Sequence, residues 1–350
     1  MTAVTATAEV VVEEPSVKDQ AGKVLAQIAG YVGARTIEIG LARGLVETLA
    51  RHPDGMTTDE LAAEARLDPF YVEVWCRSGL ANEILQRSGQ RAYRLVPHMA
   101  TVLLDRESPA YVGGTLTVLG QPEVFDRFAE TLPGGDRTWW DRCGPDFIDG
   151  VSGTGGAFYA RLIPGGLDQV PGLADTLRDG ARIIDTACGA GVGLVRLAEA
   201  FPSSSLVGAD GDAYSLNLAA ERVRRRGHDA RVKLVHTPLE DLDGESEFDL
   251  VTNNISMHEC RDIERVTRNI KQALKPGGYF VISDFPFPET DQALRTVPGR
   301  IMSGIQFFEA QIDDQLLPVA TYLDLLDRNG FRNVGSFELT PVHAVTYGQR

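Results

Sequence analysis

The chain has 350 residues, of which 43% are hydrophobic and 24% charged, a composition that suits a folded globular protein of more than one domain. Its 49 acidic residues outnumber its 34 basic ones, for a formal charge of −15, which disfavours nucleic acid and anionic membranes as partners and favours small-molecule chemistry. No apolar run is long enough to span a bilayer. The opening "MTAVTATAEVVVEEPS" lacks a basic region and a cleavable apolar core. Cys76, Cys143, Cys188 and Cys260 show no CxxC pairing. These features predict a cytoplasmic protein with reduced thiols and a flexible tail over residues 1–15.

Two apolar-periodic helices are expected next, "KVLAQIAGYVGART" and "IEIGLARGLVETLARH", ended by the turn signal "PDG". Thr57 or Thr58 can cap a short helix whose first turn holds Asp59 and Glu60. A further helix follows "LDP", and "LQRSGQRAYRLV" reads as a hairpin with a Ser-Gly tip. Helices followed by a hairpin form a winged-helix-like pattern over residues 16–105. Residues 1–100 hold ten basic and thirteen acidic residues, and the would-be recognition helix "PFYVEVWCRSGL" is mostly apolar. Dimerisation and substrate capping therefore suit this module better than DNA binding. Residues 106–178 read as a helical connecting segment broken by glycine and proline.

From 179 to 350 strands and helices alternate: "RIIDTA", "SSLVGAD", "VKLVHT", "FDLVTNNI" and "GGYFVISDF", separated by helical stretches. A late helix, "VATYLDLLDRNG", precedes "RNVGSFEL" and "HAVTYGQ", which are close enough to make an edge hairpin. The pattern predicts an α/β domain built on a doubly wound, mostly parallel, seven-stranded sheet.

"IIDTACGAGVG" follows the first of these strands, where such sheets bind ligands. Gly189 and Gly191 permit a tight turn and close approach to a ligand. A dinucleotide fingerprint would place a third glycine where Leu194 stands, and Asp185 would repel a pyrophosphate while holding an ammonium group. Asp210, ending "LVGAD", can accept ribose hydroxyls. An amino-acid end, a ribose and no pyrophosphate point to S-adenosyl-L-methionine.

Residues 182–283 resemble the core of the class I S-adenosylmethionine-dependent methyltransferases, through "IIDTACGAG", "GAD" and "LKPGGYFVISD". With the winged-helix-like front, the chain resembles the small-molecule O-methyltransferases. The resemblance places Gly189, Gly191 and Ala187 around the methionine moiety, Ala187 standing where the family has glycine. It places Asp185 near the amino group, and Asp210 with Gly211 at the ribose. Pro238 occupies the usual position of an adenine-binding acid, which leaves the Leu239 backbone and Glu240. In "FDLVTNNISMHECRD" the family's catalytic His-Asp pair becomes His258 and Glu259, and Asn254 falls where a backbone carbonyl meets the cofactor. Histidine suits the general-base role for a hydroxyl acceptor.

The family's orienting acid is absent near 316, where the chain reads "LLPV"; Glu309, Asp313 and Asp314 are all nearby. Trp139, Phe158, Tyr159, Met257, Met302 and Phe307 are candidates for an apolar substrate wall. The other histidines show no metal-ligand spacing, and His343 reads as a surface residue. The likeness implies a homodimer acting on a small hydrophobic molecule, by O-methylation first and C- or N-methylation second. Use of the cofactor without methyl transfer, or a DNA-binding regulator, are the remaining alternatives.

Overall fold

A computed structural model describes residues 14–121, 123–137 and 155–350. Trp139, Cys143 and residues 1–13 lie outside the described residues. Contacts divide the chain into two compact units, residues 1–100 and 101–350. The connecting segment around 106–178 thus belongs to the second unit.

The first unit begins with α1 (Val17–Ala42), capped at Ser16 by a reciprocal hydrogen-bond box with Asp19. The sequence pattern places a helix break after residue 36. The helix instead runs on to Ala42 and stops at Gly44, whose φ of +68° leads into α2 (Leu45–Arg51). β1 (Met56–Thr57) precedes α3 (Thr58–Ala65), whose cap is Thr57, with Glu60 returning the bond. α4 (Pro69–Ala81) starts at Asp68 with proline in its first turn. β2 (Leu85–Ser88) and β3 (Ala92–Leu95) form the expected hairpin, and β3 also pairs with β1. Trp75 of α4 is buried against α1, donating its indole N–H to the Thr36 carbonyl at 2.9 Å.

Among the described residues ten strands are numbered in chain order, and seven of them fall in the second unit: β4 (Arg182–Thr186), β5 (Ser205–Asp210), β6 (Val232–His236), β7 (Phe248–Asn254), β8 (Leu274–Asp284), β9 (Arg332–Thr340) and β10 (His343–Gln349). Their order is β6-β5-β4-β7-β8-β10-β9, parallel from β6 to β8, with β10 antiparallel to both neighbours. The chain winds outward from β4, then returns to place β7 on its other side, so the switch point lies between β4 and β7.

Successive residues face opposite sides and both sides are buried. Ile184, Val251 and Phe280 pack with Tyr322 and Leu325 on one face. Ile183, Leu250 and Val281 pack with Leu162, Leu173 and Val345 on the other. Among the helices that flank the sheet are α5 (Val192–Ala200), α6 (Ala213–Arg225), α7 (Ile263–Ala273), α8 (Val297–Glu309) and α9 (Val319–Arg328). α6 and α7 are capped by Asp212 and Asp262, each accepting a backbone N–H three residues on.

The packing of α1 on α4 reverses an ordinary helix rule. Glycine to alanine inside a helix normally stabilises by about 0.5–1 kcal/mol. A Cβ on Gly40 would lie 2.5 Å from the Trp75 ring, whereas one on Gly22 would meet nothing within 4 Å. Denaturant unfolding should show Gly40→Ala destabilising by about 1–3 kcal/mol and Gly22→Ala stabilising. A gain at Gly40 would contradict this packing.

Candidate active site

The functional side chains gather beyond the carboxyl ends of β4, β7 and β8, beside the switch point. At the end of β4, Asp185 is fully buried. Its Oδ1 accepts the Thr252 hydroxyl at 2.8 Å and its Oδ2 accepts the Tyr159 hydroxyl at 2.8 Å. Burial pushes its carboxyl up to about 7, against the lowering effect of those two bonds, and the nearby Asp210 charge adds to the rise. Tyr159 is therefore part of the β4 rim, held to Asp185, and not part of the apolar wall the sequence suggests. Gly193 makes this possible. A Cβ there would stand 2.2 Å from the Tyr159 ring and 2.6 Å from Asp185 Oδ2.

The loop after β4 is shaped by left-handed backbone. Ala187, where glycine is expected, has φ of +52°, a conformation that costs a side chain roughly 1–2 kcal/mol. Gly189 has φ of +50°, and a Cβ there would meet nothing within 4 Å, so its outer side is free space. Gly191 has a different task from the expected close approach to a ligand. Its missing Cβ would lie 2.9 Å from Ala219, so it seats the loop on α6.

Asp210 accepts the Gly189 N–H at 2.8 Å through Oδ2 and the Asp212 N–H at 2.8 Å through Oδ1. A carboxylate has about four acceptor positions, so capacity remains for a ligand hydroxyl. Burial raises the Asp210 pKa against these backbone bonds. Gly211 is exposed, its carbonyl 2.9 Å from a His236 ring nitrogen. Leu239 is buried in the core, while Glu240 accepts the Asp262 N–H at 3.3 Å and so supports α7. The glycine cradle, the two strand-end acids and the free space at Gly189 fit an amino-acid-bearing nucleoside.

Beyond β7 the backbone turns sharply at Ile255, a β-branched residue with φ of +47°, its N–H donating to Ser283 O at 2.7 Å. Such strain persists where surrounding structure fixes it. The turn delivers His258 into the interior, 6% exposed. Its Nδ1 lies 2.8 Å from Asp284 Oδ2, and the same oxygen accepts the Tyr322 hydroxyl at 2.7 Å. Asp284 Oδ1 accepts the Phe285 N–H at 2.7 Å. On the other side, His258 Nε2 is 3.5 Å from Glu309 Oε2. They are charge partners without a hydrogen bond: both atoms are buried and unpaired, as is Asp314 Oδ2.

Burial disfavours the imidazolium, but the Asp284 and Glu309 carboxylates outweigh it and hold the His258 pKa well above 6.5. Burial, then the Glu309 charge, pushes Asp314 up to about 7. Glu259 also contributes a carboxylate oxygen, so that it, His258 and Glu309 present donor atoms within 4.8 Å of one another. These donor types could also receive a divalent cation, an arrangement that linear spacing conceals.

Phe158 and Met302 join a buried apolar cluster with Phe285, Ile305, Phe308 and Leu316. Met257 lies instead in the main core with Val266 and Tyr322. Phe307 is 38% exposed, packed at a tilt against Phe125 and edge-on against Phe128, two positions along α8 from Glu309. His343 is not at the surface. It is wholly buried, between Arg161 and Ser283. Tyr322 and Arg161 carry no linear motif that announces them; Ser283 and Asp284 end the motif "LKPGGYFVISD", but nothing in it announces that Asp284 meets His258.

A family model described as a methyltransferase domain matches residues 177–317. An uncharacterized methyltransferase of Synechocystis is 31% identical over 166 residues, 47% of this chain and 72% of that protein. A fatty-acid O-methyltransferase of Mycolicibacterium smegmatis is 29% identical over 130 residues, 36% of this chain and 46% of that protein, so the chain spans about half the length of this relative. An O-methyltransferase family protein from Burkholderia thailandensis has the same fold, with a TM-score of 0.70 at 20% identity, covering 97% of this chain and 99% of that one. The strand-end acids, the glycine loop and these likenesses agree: the chain belongs to the class I S-adenosylmethionine-dependent methyltransferases.

Proposed function

We propose that the protein transfers a methyl group to an oxygen of a small, largely apolar molecule, with His258 taking that oxygen's proton. The observation that carries this reading is the buried His258 ring, whose Nδ1 faces Asp284 while Nε2 has no hydrogen-bond partner. S-adenosylmethionine supplies the electrophilic methyl on a sulfonium whose departure needs no acid. The β4 loop, Asp185 and Asp210 would hold it, with Leu239 and Glu240 beside the base.

A neutral hydroxyl is a weak nucleophile, and a positioned base is worth about 10²–10⁴ in rate. In the neutral ring, Asp284 fixes the proton on Nδ1 and leaves the Nε2 lone pair for the acceptor. The imidazolium formed is then stabilised by Asp284 and by Glu309. The same two charges set a cost, because the ring must be deprotonated before it can act. Phe158, Phe285, Met302 and Phe308 suit an apolar, aromatic acceptor and exclude water. A neutral amine acceptor, which attacks through its own lone pair, would make the base dispensable.

We also infer that the first unit serves self-association. Val24, Leu25, Ile28, Tyr31 and Val32 of α1 are 46–68% exposed and recur at helical spacing along one stripe. A second copy of the chain would cover them. α4 exposes Phe70, Tyr71 and Val74, an apolar surface poorly suited to reading a DNA groove.

With methyl-labelled cofactor and a panel of phenols, amines and keto acids, label should appear on oxygen. His258→Ala should lower the rate by about a hundredfold or more; a change within a few-fold would contradict the base. Because both carboxylates raise the His258 pKa, kcat/KM should fall as pH drops through a limb lying above 6.5. Glu309→Gln should move that limb to lower pH, since the uncharged ring then survives further into acid. A chelator should leave the rate unchanged. In sedimentation, the wild type should run as a dimer and a Leu25→Asp, Ile28→Asp variant as a monomer; identical behaviour would contradict the α1 interface.

A further inference from the structure

Four buried or half-buried side chains form a hydrogen-bonded row that the catalytic reading does not use. Arg161 Nε lies 3.0 Å from His343 Nδ1. His343 Nε2 lies 2.7 Å from Ser283 Oγ, and Ser283 Oγ lies 2.7 Å from Asn254 Oδ1. Their order of donors and acceptors is fixed at one end. A guanidinium only donates, so His343 Nδ1 must accept and its remaining proton sits on Nε2. Nε2 then donates to the Ser283 oxygen, and the Ser283 hydroxyl donates to Asn254 Oδ1. Burial, and then the Arg161 charge, holds the His343 pKa well below 6.5, so the ring stays neutral and the direction does not reverse. The Asn254 amide is thereby oriented with its NH₂ outward from the row.

That NH₂ is 4% exposed with its residue and has no partner. An unsatisfied buried donor is costly, and a ligand acceptor relieves that cost. Asn254 ends β7 opposite Ser283 of β8, on the rim that also carries Asp185 and the glycine loop. Around that rim, Asp185, Asp210, Asp284 and Glu309 are carboxyl groups, poorly suited to holding an anion. Among the described residues of the rim, the buried unpartnered nitrogen atoms are His258 Nε2 and Asn254 Nδ2. The first is assigned to the methyl acceptor. We propose that the Asn254 side-chain amide binds the carboxylate of the cofactor's amino-acid end, and that Arg161, His343 and Ser283 position it. This rests on the cofactor reading, and it replaces the backbone carbonyl of Asn254 with its side chain as the recognising group. A row that begins at a guanidinium polarises each later donor toward an anionic ligand.

Calorimetric binding tests this without any methyl acceptor. The probes are S-adenosylhomocysteine and its decarboxylated analogue, 5′-deoxy-5′-(3-aminopropylthio)adenosine, which lacks only the carboxylate. Wild type should prefer S-adenosylhomocysteine. Asn254→Ala should weaken it about tenfold or more and leave the analogue within twofold, which also reports an intact fold. Asn254→Asp, with an anion in place of the amide, should weaken S-adenosylhomocysteine further. His343→Phe, which removes the donor to Ser283, should lose part of the preference. Unchanged S-adenosylhomocysteine affinity in Asn254→Ala, or equal weakening of both ligands, would overturn the proposal. A wild-type chain that binds neither probe would overturn the cofactor reading itself, and the proposal with it.

Discussion

The carboxylate of Asp284 is the point on which the acceptor half of the site depends. It ends β8, receives the Tyr322 hydroxyl from α9, and holds His258 from the turn after β7. Three elements distant in sequence are thus fixed to one another by one oxygen, Asp284 Oδ2, in the buried interior. A buried carboxylate is expensive unless it is hydrogen-bonded, and here Phe285 N–H, Tyr322 and His258 supply three bonds to it. The charge is thereby retained where it can orient a ring and stabilise the cation that the ring becomes.

The cofactor half is tied to this by the pairing of β4 with β7. Thr252 of β7 donates to Asp185, and Asn253 Nδ2 donates to the Thr186 hydroxyl at 3.2 Å. Two residues further along, the chain turns at strained Ile255 and reaches His258. The distance between the glycine loop and the histidine is therefore set by strand register. A one-residue slip would send Thr252 to the opposite face and separate the two halves.

Much of this was legible because local signals agreed. Apolar runs in "RIIDT", "FDLVTNN" and "YFVISD" read as strands, and the acids Asp185 in the first and Asp210 at the end of "LVGAD" pointed to a nucleoside site. The nature of the loop was legible too, though not its mechanics: Gly191 seats a helix and Gly193 admits Tyr159, while Ala187 bears the left-handed conformation that glycine would take without cost. Other features depended on contacts that no window of sequence contains. Arg161 meets His343 across 182 positions, and the choice of Asp284 over its neighbours follows from where β8 ends. Helix phase misled as well. Met302 and Phe307 share α8, yet one is buried and the other packs outward against the Phe125 and Phe128 rings. α1 passes residue 36 without a break because its helical propensity and its packing on Trp75 continue to Gly40.

The central claim is that Asp284 holds His258 with its proton on Nδ1 and its Nε2 lone pair toward the acceptor. ¹⁵N NMR of histidine-labelled protein, titrated with pH, reads both nitrogens directly. The account predicts that Nδ1 keeps its proton throughout, that Nε2 loses its own only well above pH 6.5, and that Asp284→Asn lowers that transition. A neutral His258 protonated on Nε2, or one that titrates at or below 6.5 in the wild type, would contradict it.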